Sequence, residues 1–222
     1  AGVPTVASPM VNEGGGIHVN GEGAVLVTRT VQLGSGRNET WTAEQVEAEL
    51  RRTLGVDRVI WIEWGLTRDY ERFGTRGHID IVACFAGPNT VLFHDQRNPE
   101  HPDHAVSAEV RERLEAESDL RLVAVPAPDV LRDDEGWVDY SYINHLVVNG
   151  GVILCAFDDP GDERAAGEEL CPQERRIDDD PSVAGFEIAA RDAIAEGRRT
   201  QKALDSALQV LAGVRPEERA VL

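Results

Sequence analysis

The chain has 222 residues, with 22 Lys and Arg against 40 Asp and Glu, a formal net charge of −18. That excess of negative charge argues against nucleic acid and anionic membranes as partners, since both repel it, and it suits a cationic small molecule. No apolar run approaches the ~18–20 residues of a membrane span, and the length suits one large domain or two small ones with a real core.

The first elements in chain order are a pair of strands. Ile17-His18-Val19 runs into Asn20-Gly21, a hairpin signal, and Ala24-Val25-Leu26-Val27-Thr28 reads as the return strand. Thr42-Ala43-Glu44-Gln45 has the pattern of a capping box. It opens a helix with Val46, Leu50 and Leu54 on one face, and Gly55 closes that helix. Arg58 to Ile62 is the third strand. A second copy starts with a strand from His78 to Phe85, turns at Gly87-Pro88-Asn89 and returns through Thr90 to His94. Its helix runs around Ala105 to Glu117 with Val106, Val110 and Leu114 inward, and Leu120 to Val125 is its last strand. A third copy has strands at Ser141 to Val148 and Val152 to Phe157, a turn at Asn149-Gly150-Gly151 and a helix from Gly161 to Leu170. The turn glycines Gly21, Gly87 and Gly150 recur about every 60 residues, as repeated supersecondary modules would. Beyond a charged stretch at Arg175 to Asp180, the segment Glu187 to Ala212 reads as helical, with Leu204, Leu208 and Leu211 on one side. That stripe packs on its own domain or, in a homo-oligomer, on a partner.

The segment Gly77-His78-Ile79-Asp80 carries the most chemistry. On a strand, residues two apart project from one face, so His78 and Asp80 would place a proton-transfer group beside an anion. Such a pair suits a cationic substrate. Cys84, Cys155 and Cys171 are odd in number and lack metal-type spacing, which points to a reducing, cytoplasmic setting rather than a disulfide scaffold. Cys84 and Cys155 lie in apolar runs and read as small buried hydrophobes. His101-Pro102-Asp103-His104, with His94-Asp95 nearby, lacks further ligands at helical or strand spacing. It reads as a polar loop before a helix and not as a metal site.

Several stretches together resemble the agmatine deiminase family. They are Asn12-Glu13-Gly14-Gly15-Gly16-Ile17-His18-Val19, Leu66-Thr67-Arg68-Asp69-Tyr70 through Gly77-His78-Ile79-Asp80, and Asp139-Tyr140-Ser141-Tyr142-Ile143-Asn144. Asn149-Gly150-Gly151-Val152 and Ala156-Phe157-Asp158-Asp159-Pro160 complete the set. The resemblance covers about Val11 to Leu170 and implies an α/β pentein fold, a propeller of strand-strand-helix-strand modules of which about three of five are present. Residues 1–172 would be a partial pentein catalytic domain, and 173–222 a divergent, acidic, helical segment. The implied reaction hydrolyses agmatine to N-carbamoylputrescine and ammonia, a step toward putrescine, without metal or organic cofactor.

By that resemblance a cysteine thiolate attacks the guanidinium carbon, carboxylates hold the planar cation, and a His protonates the departing ammonia and then activates water. His78 would be the acid/base and Asp80 a guanidinium ligand. Glu13 would orient His78 or bind substrate. Asn144, read as sharing a strand face with Tyr142, would hydrogen-bond the substrate, and Gly14 and Gly15 would let the backbone approach it. The family nucleophile, a Cys after a Gly-rich loop and an Ile-His pair, has no counterpart in this sequence, so the nucleophile is unassigned and the chain alone is expected to be inactive. The initial Ala1 also points to a start further upstream. The alternatives are a relative of the protein-arginine deiminases, and a non-catalytic pentein that binds a guanidine ligand or a protein partner.

Overall fold

The computed structural model describes residues 5–71, 74–128, 132–148, 151–162 and 165. The chain divides into two units. One holds Ala1–Leu146 and Ile153–Pro172, and the other holds Val147–Val152 and Gln173–Leu222. The expected helix at Glu187 to Ala212, most of that at Gly161 to Leu170, and the Asn149-Gly150 turn lie outside the described residues.

The first unit is mixed α/β and is built on one motif used twice. In the first copy, β1 (Ile17–Val19) pairs antiparallel with β2 (Ala24–Thr28), and β2 pairs parallel with β3 (Arg58–Ile62). The Asn20 carboxamide oxygen closes the β1–β2 turn by accepting the Glu22 and Ala24 N–H groups at 2.8 and 2.9 Å. The β2–β3 crossover carries two helices, a short α1 (Arg29–Gln32) and α2 (Ala43–Leu54). The capping box is formed: the Gln45 N–H donates to Thr42 Oγ1 and the Thr42 N–H to Gln45 Oε1. Val46 and Leu50 are buried as expected, but Leu54, in the last turn before the Gly55 cap, is exposed.

In the second copy, β4 (Ala83–Gly87) pairs antiparallel with β5 (Thr90–Asp95), and β5 pairs parallel with β6 (Arg121–Pro126) across α3 (Asp103–Glu115). The strand expected from His78 starts only at Ala83. His78 caps a 3-10 turn, Ile79–Ile81, closed by the Val82 N–H on Ile79 O at 2.9 Å. Its partner β5 stops at Asp95, and the last ladder contact is His94 N–H to Val82 O. Residues before Val82 therefore pair with no strand, and the turn itself and side chains such as Asp69 satisfy their backbone.

The third copy is shorter than expected. Among the described residues a hairpin, β7 (Arg132–Asp133) and β8 (Gly136–Trp137), precedes it. Its own pair is β9 (Leu146–Val148) with β10 (Gly151–Ile153). Ser141, Tyr142 and Ile143 are buried consecutively, which an alternating strand facing solvent on one side cannot do. They form a turn in which Ser141 Oγ accepts the Ile143 N–H. Cys155 consequently lies past β10 and is exposed, whereas Cys84 on β4 is buried.

One core lies within the first copy and another joins it to the second. Val25 and Val27 on one face of the first sheet pack on Val46 and Leu50 of α2. Leu26, Ile60 and Ile62 on its other face share a core with Ile79, Val82, Phe93, Val110 and Leu114 of the second copy. Polar ties reinforce the join: the Phe85 N–H donates to His18 Nδ1 at 3.1 Å and Asn20 Nδ2 to Pro88 O at 2.8 Å. His101 and Asp103, expected in a polar loop, are buried instead. Asp103 Oδ1 accepts the Thr67 N–H at 2.6 Å, and His101 Nε2 meets Val138 O at 3.1 Å. Backbone groups that need partners account for their position.

Candidate active site

The shared core sets the 3-10 turn that bears His78 and Asp80 beside the loop that bears Glu13. Glu13 precedes another short 3-10 turn, Gly14–Gly16, which leads directly into β1. His78 Nε2 lies 3.2 Å from Glu13 Oε2, and His78 Nδ1 lies 3.9 Å from Asp80 Oδ1. His78 and Asp80 stand on a turn and not on the strand expected for them, and the turn also brings them together.

Gly15 is the wall of this corner. A Cβ there would fall 2.4 Å from His78 Nδ1 and 2.5 Å from Asp80 Oδ2, so only glycine lets the loop lie against both groups. Gly14 faces open space. Asn144 is exposed while Tyr142 is buried, so the two do not share a face, yet Asn144 lies near enough to Asp80 to favour its charged form slightly. Glu13, His78, Asp80 and Asn144 thus form one cluster.

Two side chains not singled out from sequence organise the cluster. Arg37 Nε donates to Glu13 Oε1 and Oε2 at 3.0 and 2.9 Å, and its Nη2 donates to Thr75 O at 2.7 Å. Asp69 is buried, and its carboxylate accepts the N–H groups of Thr75, Gly77 and His78 and the Thr75 hydroxyl. It thereby holds a loop in which Arg76 has φ 70° and Gly77 has φ 104°. At Gly77 a side chain would strike Thr30 Oγ1 and the Tyr70 hydroxyl. The adjacent left-handed residues were the only sequence-level hint, through Gly77; nothing local marks Arg37.

The electrostatics differ between the two acids. Hydrogen bonds from Arg37 hold the Glu13 carboxyl below its usual range, against its partial burial, and His78 adds to the effect. Glu13 is therefore an anion, an acceptor only, and the imidazole must present Nε2–H to it. Among the described residues, Nδ1 makes no hydrogen bond. Burial pushes Asp80 the other way, upward; His78 opposes the rise, and the Asp69 charge adds to it. A half-buried carboxylate short of positive charge favours a cationic ligand.

Neither described thiol meets the imidazole. Burial pushes the Cys84 thiol up to about 12, which suppresses the thiolate. Cys155 Sγ lies 3.8 Å from Asn144 O. Among the described residues, no group of three or more His, Cys, Asp or Glu side chains is arranged to hold a metal ion. None of the described helices is long and apolar enough to cross a membrane. A separate groove of about 410 Å³ is lined by Arg29, Trp61, Glu63, Trp64 and residues of α3, and includes none of the cluster.

Known proteins resemble this chain over most of its length. The profile of the Porphyromonas-type peptidyl-arginine deiminases matches residues 1–177. A candidate agmatine deiminase of Streptomyces coelicolor is 59% identical over 173 residues, covering 75% of this chain and 51% of that protein. The agmatine deiminase of Pseudomonas savastanoi pv. phaseolicola is 36% identical over 183 residues, covering 72% and 49%. The structure of a cysteine-to-serine variant of C. jejuni agmatine deiminase with substrate bound superposes with a TM-score of 0.65 at 28% identity, covering 72% of this chain and 46% of that one. The chain spans about half the length of the curated relatives it matches.

Proposed function

We propose, because the chain belongs to the Porphyromonas-type peptidyl-arginine deiminase family, that it carries the acid/base and guanidinium-binding part of an agmatine deiminase. In this reading residues 1–172 are part of a pentein propeller, and its strand-strand-helix-strand modules set the site. The observation that carries it is the meeting of Glu13, His78 and Asp80 against Gly15.

Each group then has a role. Asp80 accepts N–H bonds from the flat guanidinium, and Asn144 fixes the carboxylate's orientation. Glu13 keeps the proton of His78 on Nε2, so Nδ1 faces the reacting groups. Nδ1 of the neutral imidazole takes the proton of the thiol; the resulting thiolate attacks the guanidinium carbon, and the C–N bond breaks as Nδ1–H of the imidazolium delivers that proton to the leaving ammonia. Nδ1 then takes a proton from water, which adds to the thiouronium carbon, and the C–S bond breaks to release N-carbamoylputrescine. Among the described residues no thiol is within reach of His78, so the nucleophile stays unassigned. The long aliphatic amine of agmatine leaves the second positive charge free to be met by the acidic surface.

Calorimetric titration of agmatine into the full chain tests the binding half. Asp80→Asn should weaken binding at least tenfold, since a charge-assisted hydrogen bond contributes about 1.5–3 kcal/mol. Equal affinity in the two proteins would remove Asp80 from the site. Ammonia release with agmatine, free arginine and an arginyl peptide tests the substrate. The family description keeps a peptidyl-arginine reading open, and preferential turnover of the peptide would establish it. Binding of agmatine with no ammonia from any of the three would identify a non-catalytic guanidine binder.

A further inference from the structure

We infer that Arg37 is a positioning residue: its guanidinium ties the loop bearing Glu13 to the loop bearing His78 and so fixes which imidazole nitrogen carries the proton. The inference rests on the reading of His78 as the acid/base.

Glu13 has few restraints of its own. Its side chain makes no capping bond to the turn it precedes, and 44% of it is exposed. Among the described residues, Arg37 and His78 are the partners of its carboxylate. Arg37 is the firmer of the two, because its side chain is only 11% exposed and its contacts are to a charge and to backbone. One arm holds both Glu13 oxygens while another holds Thr75 O, three residues before His78. Asp69 grips the His78 loop alone, whereas Arg37 sets the distance between the two loops.

The base of Arg37 is fixed as well. The Arg37 N–H donates to Gly34 O at 3.1 Å. The adjacent Asn38 is buried, donates to Val11 O and Gln32 O and accepts the Val11 N–H. The segment leading to Glu13 and the segment leading to Arg37 are therefore sewn together before either side chain reaches the site. A lysine could keep the charge but not the fork, since one ammonium cannot hold a carboxylate and a carbonyl on separate planar arms.

The test uses the isotope-labelled full chain and reads the imidazole by nitrogen–proton correlation, with His78 assigned through His78→Gln. Wild type should show the Nε2–H tautomer for His78. Arg37→Met should fold, because Asn38 and Asp69 still hold the two segments through backbone hydrogen bonds and the methionine stem fills the space of the arginine stem. Its His78 should become a tautomer mixture, and the Glu13 carboxyl should titrate at higher pH. Arg37→Lys should keep the Glu13 titration near wild type and still lose the single tautomer. An unchanged His78 ring in either folded variant overturns the inference. If neither folds, the wild-type Arg37 Nε–H signal is compared with that of Glu13→Gln. It should move upfield when the carboxylate goes, and an unmoved signal refutes the contact. None of these readouts uses agmatine, so failure of the chain to bind agmatine would count against the substrate and leave the Arg37 result standing.

Discussion

Gly15 is the residue at which local freedom and chemistry coincide. It is enclosed by the two groups that would face substrate, with the Cβ position 2.4 Å from an imidazole nitrogen and 2.5 Å from a carboxylate oxygen. Gly15 is half-buried at the edge of the molecule, between exposed Gly14 and buried Gly16, and none of the apolar core clusters includes it. Gly15→Ala should therefore displace His78 or Asp80 without unfolding the chain. The expected result is a loss of agmatine affinity of tenfold or more by calorimetry, with a thermal midpoint within a few degrees of wild type. A variant that binds as wild type would mean that the cation lies elsewhere. Sequence alone offered three consecutive glycines, and only the contact to His78 distinguishes Gly15 from Gly14.

The loop from Gly74 to His78 depends on one carboxylate. Asp69 takes four hydrogen bonds from it, three from backbone N–H groups and one from the Thr75 hydroxyl. Asp69→Asn would turn one acceptor oxygen into an NH2 that faces other donors. The loss should be about 2 kcal/mol or more in denaturant unfolding, the cost of hydrogen bonds to a charged group left unmade. Agmatine affinity should fall with it, since His78 rides on this loop; a stable variant with full affinity would free the loop from Asp69. Other elements were legible because their determinants are adjacent in sequence. Thr42 and Gln45 cap α2 reciprocally, and Asn20 closes its turn through its own neighbours. The strand expected at His78 failed for a nonlocal reason: the chain pairs only as far as β5 runs beside it. The Ser141 turn failed likewise, because its hydroxyl is placed by His94, at 3.0 Å from Nδ1.

Across the whole first unit, the second copy buries a titratable group that the proposed chemistry does not use. His94 is buried, and among the described residues its Nε2 has no hydrogen-bond partner. Burial pushes its pKa from 6.5 down to about 4, with the nearby His101 charge acting in the same sense and Asp103 and Asp95 opposing it. His18 is lowered too, by burial and then by His145. Between these values the unfolded chain takes up protons that the folded chain refuses. The stability that His94 contributes is therefore complete above pH 6.5 and is lost as pH falls through about 4, and His18 acts in the same direction. Asp80, raised by burial, acts in the opposite sense, because its protonation on acidification relieves a cost. The thermal midpoint should fall from pH 6.5 to 4, and His94→Asn, whose amide can replace Nδ1 toward Ser141, should flatten that slope. A slope equal to wild type would place the acid sensitivity outside His94.

Two copies of the repeat, the capped helix, the β1–β2 hairpin and the residue types of the cluster were legible in the sequence, because each is a matter of short spacing and side-chain chemistry. The carboxylate beside the imidazole, and the guanidinium that aims it, were decided only in three dimensions. Glu13 and Arg37 are far from His78 along the chain. They meet it because Leu26, Ile60 and Ile62 on one sheet share a core with Ile79 and Val82 on the next. Burial of that apolar surface fixes where the loops stand, and no local pattern encodes the distance between them.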